Sequence, residues 1–160
     1  VTLAPLSKAI FIDAPRHPDL QGLLDYWTAK RASRFAPSRA DIRPMEIKGF
    51  LADVMIWNVG VGAAPHTIRL VGENIVRFVG ANNTGKPATA GMSDEAAAVM
   101  TGVLSDVVRA RAPRFRIGKA FWHREKSYRD FEACYLPLSP DGETVDMILG
   151  GIKFDVKVAD

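Results

Sequence analysis

One cysteine, Cys134, is all that this 160-residue chain contains. It excludes an internal disulfide and fits a reducing cytoplasm. The three histidines, His17, His66 and His123, are too dispersed for a recognisable zinc spacing, and one thiol cannot complete a ligand set. No apolar run approaches a membrane span, and no charged-then-apolar start marks a secretory signal. Net charge is short as well, only +3. The arginines are scattered (Arg31, Arg34, Arg39, Arg43, then Arg109, Arg111, Arg114, Arg116), which argues against a nucleic-acid partner. No paired carboxylates stand as acid and base, and Ser93 and Ser105 read as a helix cap and a polar-face residue. The expectation is a cytoplasmic protein with no catalytic residue, no metal site and no membrane segment.

What is present fits one domain: 48% apolar and 24% charged residues in a chain long enough to bury its own core. The stretch that decides its function class is Arg69–Lys86, RLVGENIVRFVGANNTGK. Gly80, Gly85 and Lys86 match most of the phosphate-loop pattern G-x-x-x-x-G-K-[ST]. Pro87 then removes both the metal-ligating hydroxyl and an N–H, and the residues before Gly80 read as a short helix around Ile75, Val76 and Phe78. The loop is therefore expected to close a connector over one face of an antiparallel sheet, without holding phosphate.

The periodicities give the order of elements. Residues 1–16 form an N-terminal arm whose apolar run Ala9–Ile12 is either an edge strand or a packed segment. From His17-Pro18-Asp19 a helix starts, with Leu20, Leu23, Leu24 and Trp27 on one stripe. A short helix from Pro44 to about Phe50 follows, then a hairpin of strands 52–61 and 66–71. Ser93 caps a long helix with Ala96, Val99, Met100, Val103, Leu104, Val107 and Val108 on its apolar face; Pro113 stops it. Three strands, 114–122, 129–138 and 143–154, complete the chain. The last is apolar on both parities, with Val145, Met147 and Leu149 against Ile148, Ile152 and Phe154. Such a strand belongs at the centre of a sheet covered on both faces.

This order, with its motifs, resembles the PAS family, most closely single-domain bacterial members with an N-terminal Leu-x-x-Tyr-Trp-x-x-x-Arg helix. The residues are Leu23–Arg31 (LLDYWTAKR), Pro37–Pro44 (PSRADIRP), Arg69–Gly72 (RLVG), Gly80 with Thr84-Gly85, and Leu136–Ser139 with Asp141-Gly142. The resemblance implies an α+β fold. Its five-stranded antiparallel sheet would run in the order 2-1-5-4-3, with connector helices on one face, an N-terminal amphipathic helix, and a single domain over residues 17–156. It also implies a non-enzymatic sensory or protein-interaction module in bacterial signal transduction, with a signalling protein as partner and a small apolar ligand as an optional gate. A small enzyme or carrier using the same cavity is the alternative.

No cofactor follows from the resemblance. Relatives that bind haem use a connector-helix histidine, and none lies in Glu73–Met92. Relatives that bind flavin use a connector-helix cysteine, whereas Cys134 falls in the fourth strand. The implied pocket is lined by Ile75, Phe78, Val79, Met100, Leu104, Trp122 and Met147, with Arg69 and Asn74 as polar contacts, unless these residues simply fill the core. Leu20, Leu24 and Trp27 either form a homodimer interface, as the N-terminal helix does in related modules, or cap the sheet of their own chain.

Overall fold

The structure, a computed structural model, describes residues 9–120, 123, 125, 126 and 129–156. Its elements in chain order are β1 (Ile10–Ile12), α1 (Pro18–Arg31), β2 (Val54–Asn58), β3 (Thr67–Val71), α2 (Glu73–Val79), α3 (Asp94–Ala110), β4 (Arg114–Lys119), β5 (Asp130–Leu138) and β6 (Met147–Phe154). The strands form one antiparallel sheet in the order β1-β4-β5-β6-β2-β3. Five of them stand in the order expected, and β1 adds a sixth. The Ala9–Ile12 run is thus settled as an edge strand, with Ile10, Phe11 and Ile12 opposite Ile117, Arg116 and Phe115.

Alternation along the strands divides the apolar residues between two cores. Met55, Trp57, Phe131, Ala133, Tyr135, Ile148 and Ile152 face α2 and α3. Val54, Ile56, Cys134, Leu136, Leu138 and Leu149 face α1. The doubly apolar β6 sits between β5 and β2, as its pattern demands.

Each helix is started by local chemistry. The His17 Nδ1 accepts from the Asp19 N–H at 3.0 Å and Pro18 fills the first turn of α1. Ser93 Oγ accepts from the Ala96 N–H at 3.2 Å at the start of α3. The buried carboxylate of Glu132 accepts from the backbone N–H groups of Arg16 (2.7 Å) and His17 (3.0 Å), fixing where α1 leaves the sheet. Leu20, Leu23 and Trp27 then lie on the sheet, and the indole of Trp27 donates to Pro137 O at 2.8 Å. Leu20 and Trp27 are only 2% and 3% exposed, and Leu24 packs half-buried against the same core. Leu20 and Trp27 are therefore packed on their own sheet, the second of the two readings of this stripe, while Leu24 keeps a partly open face.

The helix expected from Pro44 to Phe50 is a single 3₁₀ turn, Pro44–Ile47, with two more at Arg39–Asp41 before it and Leu51–Asp53 after it. So short a linker between prolines and Gly49 has no room to propagate an α-helix.

The glycine-bounded loop closes the connector. Gly80 ends α2 with φ 86°, a left-handed conformation that costs glycine little. The loop then runs beside β3: Ile68 N donates to Lys86 O (2.9 Å), Gly85 N to Ile68 O (2.7 Å) and Ala88 N to His66 O (2.9 Å). The Gly85 and Lys86 N–H groups that a phosphate would need are already paired with the carbonyls of Ile68 and Asn83.

Candidate functional site: a cavity between sheet and connector helices

Between the sheet and the connector lies a cavity of about 680 Å³. Its floor is Met55 and Trp57 of β2, Ile68 and Val71 of β3, Phe131 and Tyr135 of β5, and Ile152 of β6. Ile75 and Val79 of α2, Met100 of α3, and Ala88, Ala90 and Met92 form the walls. Asn83, Lys86, His123, Glu125 and Lys126 stand at the polar lip. This volume and apolar lining are those of a small-molecule site.

The floor depends on a glycine. Gly150 of β6 lies opposite Tyr135 and Met55, and a Cβ there would overlap the ring of Trp57. The bare backbone lets the indole lie flat on the sheet, stacked on Tyr135 with centroids 5.7 Å apart.

The lip is tied to α2. His123 Nδ1 accepts from the Lys126 N–H at 3.2 Å, which leaves Nε2 to donate to Val79 O at 3.3 Å. The Lys126 ammonium donates to Phe78 O. The Phe78 ring in turn stacks on Phe154 at 3.7 Å.

Beside the floor, Arg116 is buried with 4% exposure. Its Nη2 donates to the Tyr135 hydroxyl at 3.0 Å, its guanidinium lies over the Phe131 ring at 5.3 Å, and its Nε has no partner.

Of the residues expected to line the pocket, Ile75, Val79 and Met100 do so. Phe78 and Leu104 are buried in the adjoining core. Met147 is on the opposite side of the sheet, packed against the core under α1. Arg69 is the extra residue of a bulge between the pairs Ile56–Leu70 and Trp57–Ile68, and its side chain is turned to solvent. The Asn74 amide donates to Asp53 Oδ1 at 2.9 Å, away from the cavity. Trp122 lies outside the described residues. Sequence reasoning missed Trp57, Tyr135, Arg116 and the lip residues His123 and Lys126. The one available signal was an arginine, Arg116, alternating with Phe115 and Ile117 in a strand.

Cys134 is fully buried on the α1 side of the sheet, and burial pushes its thiol up to about 12. It cannot reach a molecule in the cavity. Among the described residues no group of three or more His, Cys, Asp or Glu side chains could hold a metal ion, and no helix is long and apolar enough to cross a membrane.

A second hollow, of about 470 Å³, lies between residues 59–66 and α3. In it His66 Nδ1 accepts from the Gly60 N–H at 3.0 Å, so the neutral ring carries its proton on Nε2 and donates to Ser105 Oγ at 3.1 Å. A ring that donates to the hydroxyl is no base for it, so the pair is structural. Burial holds the imidazole below its ordinary value, and protonated Nδ1 would face the Gly60 N–H, with Arg109 lining the same hollow. The unfolded chain therefore takes up this proton first. Stability is complete above the unfolded value of about 6.5 and falls as the pH drops below it. Urea midpoints between pH 5 and 8 are expected to decline below about 6.5 and to flatten in His66→Gln. Equal slopes in the two proteins would remove His66 as the cause.

Two solved structures are similar in outline. The chain covers 70% of itself on a blue-light photoreceptor Aureochrome1 LOV domain, with 87% of that chain covered, 7% identity and a TM-score of 0.44. It covers 93% of itself on an RNA-binding light-oxygen-voltage receptor but spans only 38% of that longer chain, with 12% identity and a TM-score of 0.49. None of the curated proteins matches the chain. A family model described as "PAS domain" matches residues 15–153, from just before α1 to within β6. With that match, over a sheet whose core runs β3-β2-β6-β5-β4, the chain belongs to the PAS domain family.

Proposed function

We propose that this chain is a non-enzymatic sensory and protein-interaction module of bacterial signal transduction. It acts in the cytoplasm, and its signal is occupancy of the cavity by a small, largely apolar molecule. The observation that carries this reading is the cavity of about 680 Å³, lined by Trp57, Ile75, Met100 and Phe131 and clasped by His123 and Lys126. A filled core has no such space.

The helix α2 is both a wall of the cavity and an end of a polar chain around the sheet. Asn74 holds Asp53 at 2.9 Å, Asp53 holds Lys153 at 2.9 Å, and Lys153 holds Asp19 in the first turn of α1 at 3.1 Å. A ligand that favours one position of α2 thereby biases how α1 packs, which is a population shift with a physical route. The partner is another signalling protein that distinguishes the two packings.

A neutral fluorophore, N-phenyl-1-naphthylamine, is expected to bind the whole chain saturably at one site. Met100→Trp, which fills the cavity from α3, is expected to weaken it at least about tenfold. Absence of saturable binding, or indifference to Met100→Trp, would sink the ligand-site reading. Hydrogen exchange then separates sensor from carrier. A sensor slows or speeds exchange in the first turn of α1 on binding, whereas in a carrier the change stays at the cavity.

A further inference from the structure

We infer that the molecule this cavity takes is an apolar body bearing a carboxylate, whose oxygen accepts from the Tyr135 hydroxyl under the charge of Arg116. The inference rests on the cavity being a ligand site, as proposed above.

Arg116 is the anomaly. It stands in register with Ala133 of β5, which stands in register with Ile152 of β6. The small Ala133 side chain leaves the guanidinium room to lie inward between the Phe131 and Tyr135 rings, 5.3 and 5.6 Å from their centroids. Phe131, Tyr135 and Ile152 all line the cavity. No ion pair reaches Arg116 among the described residues, and its Nε is unpartnered. Glu132, one position along β5, faces the other side of the sheet and holds the N–H groups of Arg16 and His17.

A buried cation without a counter-charge is costly, and two aromatic faces offset only part of that cost. An anion in the adjoining cavity supplies the rest. Tyr135 is the point of delivery. Its oxygen accepts from Arg116, so its own hydrogen points elsewhere and can be donated. A hydroxyl polarised by a guanidinium is a stronger donor, and an ionised acceptor shortens and strengthens the bond. Among the described lip residues, Lys86 and Lys126 outnumber Glu125, which favours the approach of an anion.

The test uses matched ten-carbon chains that differ only in the head group. N-phenyl-1-naphthylamine bound to the whole chain is displaced with decanoate, decanol and decyltrimethylammonium. Decanoate is expected to displace it at about tenfold lower concentration than decanol, and the ammonium to be the weakest. Tyr135→Phe keeps the ring on Trp57 and should erase the decanoate advantage, read as the ratio of decanoate to decanol displacement within the same variant. Arg116→Met should do the same, and if it does not fold, Tyr135→Phe decides alone. Equal displacement by decanoate and decanol overturns the inference and leaves the ligand site standing. So does an advantage that survives Tyr135→Phe but vanishes when Lys86 and Lys126 are both replaced by methionine, since the lip would then read the charge. A wild-type chain that never binds the fluorophore fails at the earlier step, and the inference falls with the site itself.

Discussion

Gly151→Val is expected to be the most damaging single substitution in the sheet, lowering stability by about 3 kcal/mol, the upper end of what overpacking usually costs. Gly151 lies in β6, opposite Cys134 and Val54, at the centre of the sheet. A Cβ there would stand 2.8 Å from Leu23 Cδ2, 2.9 Å from Leu20 Cδ2 and 3.2 Å from Cys134 Sγ. All three neighbours are at most 2% exposed, so none has space into which to retreat. The residue before it gives the contrast. A Cβ at Gly150 would push the Trp57 ring off the sheet, but above that ring is the cavity. Gly150→Val should therefore cost less, about 1–2 kcal/mol, while abolishing fluorophore binding because the displaced indole fills the site. Urea midpoints rank the two variants, and the fluorophore separates them. If Gly150→Val proved the more destabilising, the cavity would not be the space the ring moves into.

Lys153→Met is expected to cost about 2–3 kcal/mol, near the low end for breaking a buried pair because some water reaches the ammonium. Lys153 joins Asp53 (2.9 Å) and Asp19 (3.1 Å), with side-chain exposures of 20% for Lys153, 12% for Asp53 and 43% for Asp19. Removing the cation leaves the Asp53 carboxylate buried against the Asn74 amide. Asp19→Asn, at the exposed end, should cost no more than about 1 kcal/mol. Burial pulls the Lys153 ammonium down, but hydrogen bonds and charge from Asp53 and Asp19 outweigh it and leave the group raised. A raised base contributes fully below its unfolded value of about 10.4 and loses that contribution as pH rises through the folded value. The wild type should therefore soften at strongly alkaline pH, and Lys153→Met should lack that step. If the polar chain carries the signal, the same variant still binds the fluorophore but no longer changes exchange at α1. Unchanged exchange coupling in Lys153→Met would remove this route and leave packing alone to connect the two sides of the sheet.

Periodicity made much of this fold readable. Spacing of three and four over Leu20–Trp27 and Ala96–Val108, each with its cap, gave both main helices, and the doubly apolar β6 gave the centre of the sheet. Those features repeat along the chain, so a window of a few residues contains them. The cavity was legible only from the helix side, through Ile75, Val79 and Met100. Its floor comes from β2, β3, β5 and β6, and which strand residues share a floor is a property of register and not of any one segment. Arg69 was misplaced because a one-residue bulge cannot be read from alternation. Asn74 was misplaced because its partner, Asp53, is brought to it only by the fold. Met147 shares the β6 parity of Leu149, which faces α1, so the same alternation that centres β6 turns Met147 away from the pocket. Nothing in the parity of β6 marks what its paired glycines do. They are the places where an indole and a helix come closest to the backbone.

The short strand at the chain's start has a bearing on how partners can attach. One margin of the sheet ends in β1, three residues long, and the other is shielded by the Gly85–Ala88 loop bonded along β3. Among the described residues no long ladder of unpaired N–H and C=O groups is left on either side, so recognition by adding a strand has little to template on there. A binding protein must read side chains on the helices and loops, or displace Ile10–Ile12 and take their place beside β4. A shortened chain that begins at α1 would uncover the Arg114–Lys119 strand. It would then be prone to edge-to-edge association that the longer form avoids, and a dimer seen with such a fragment would report the cut rather than the module.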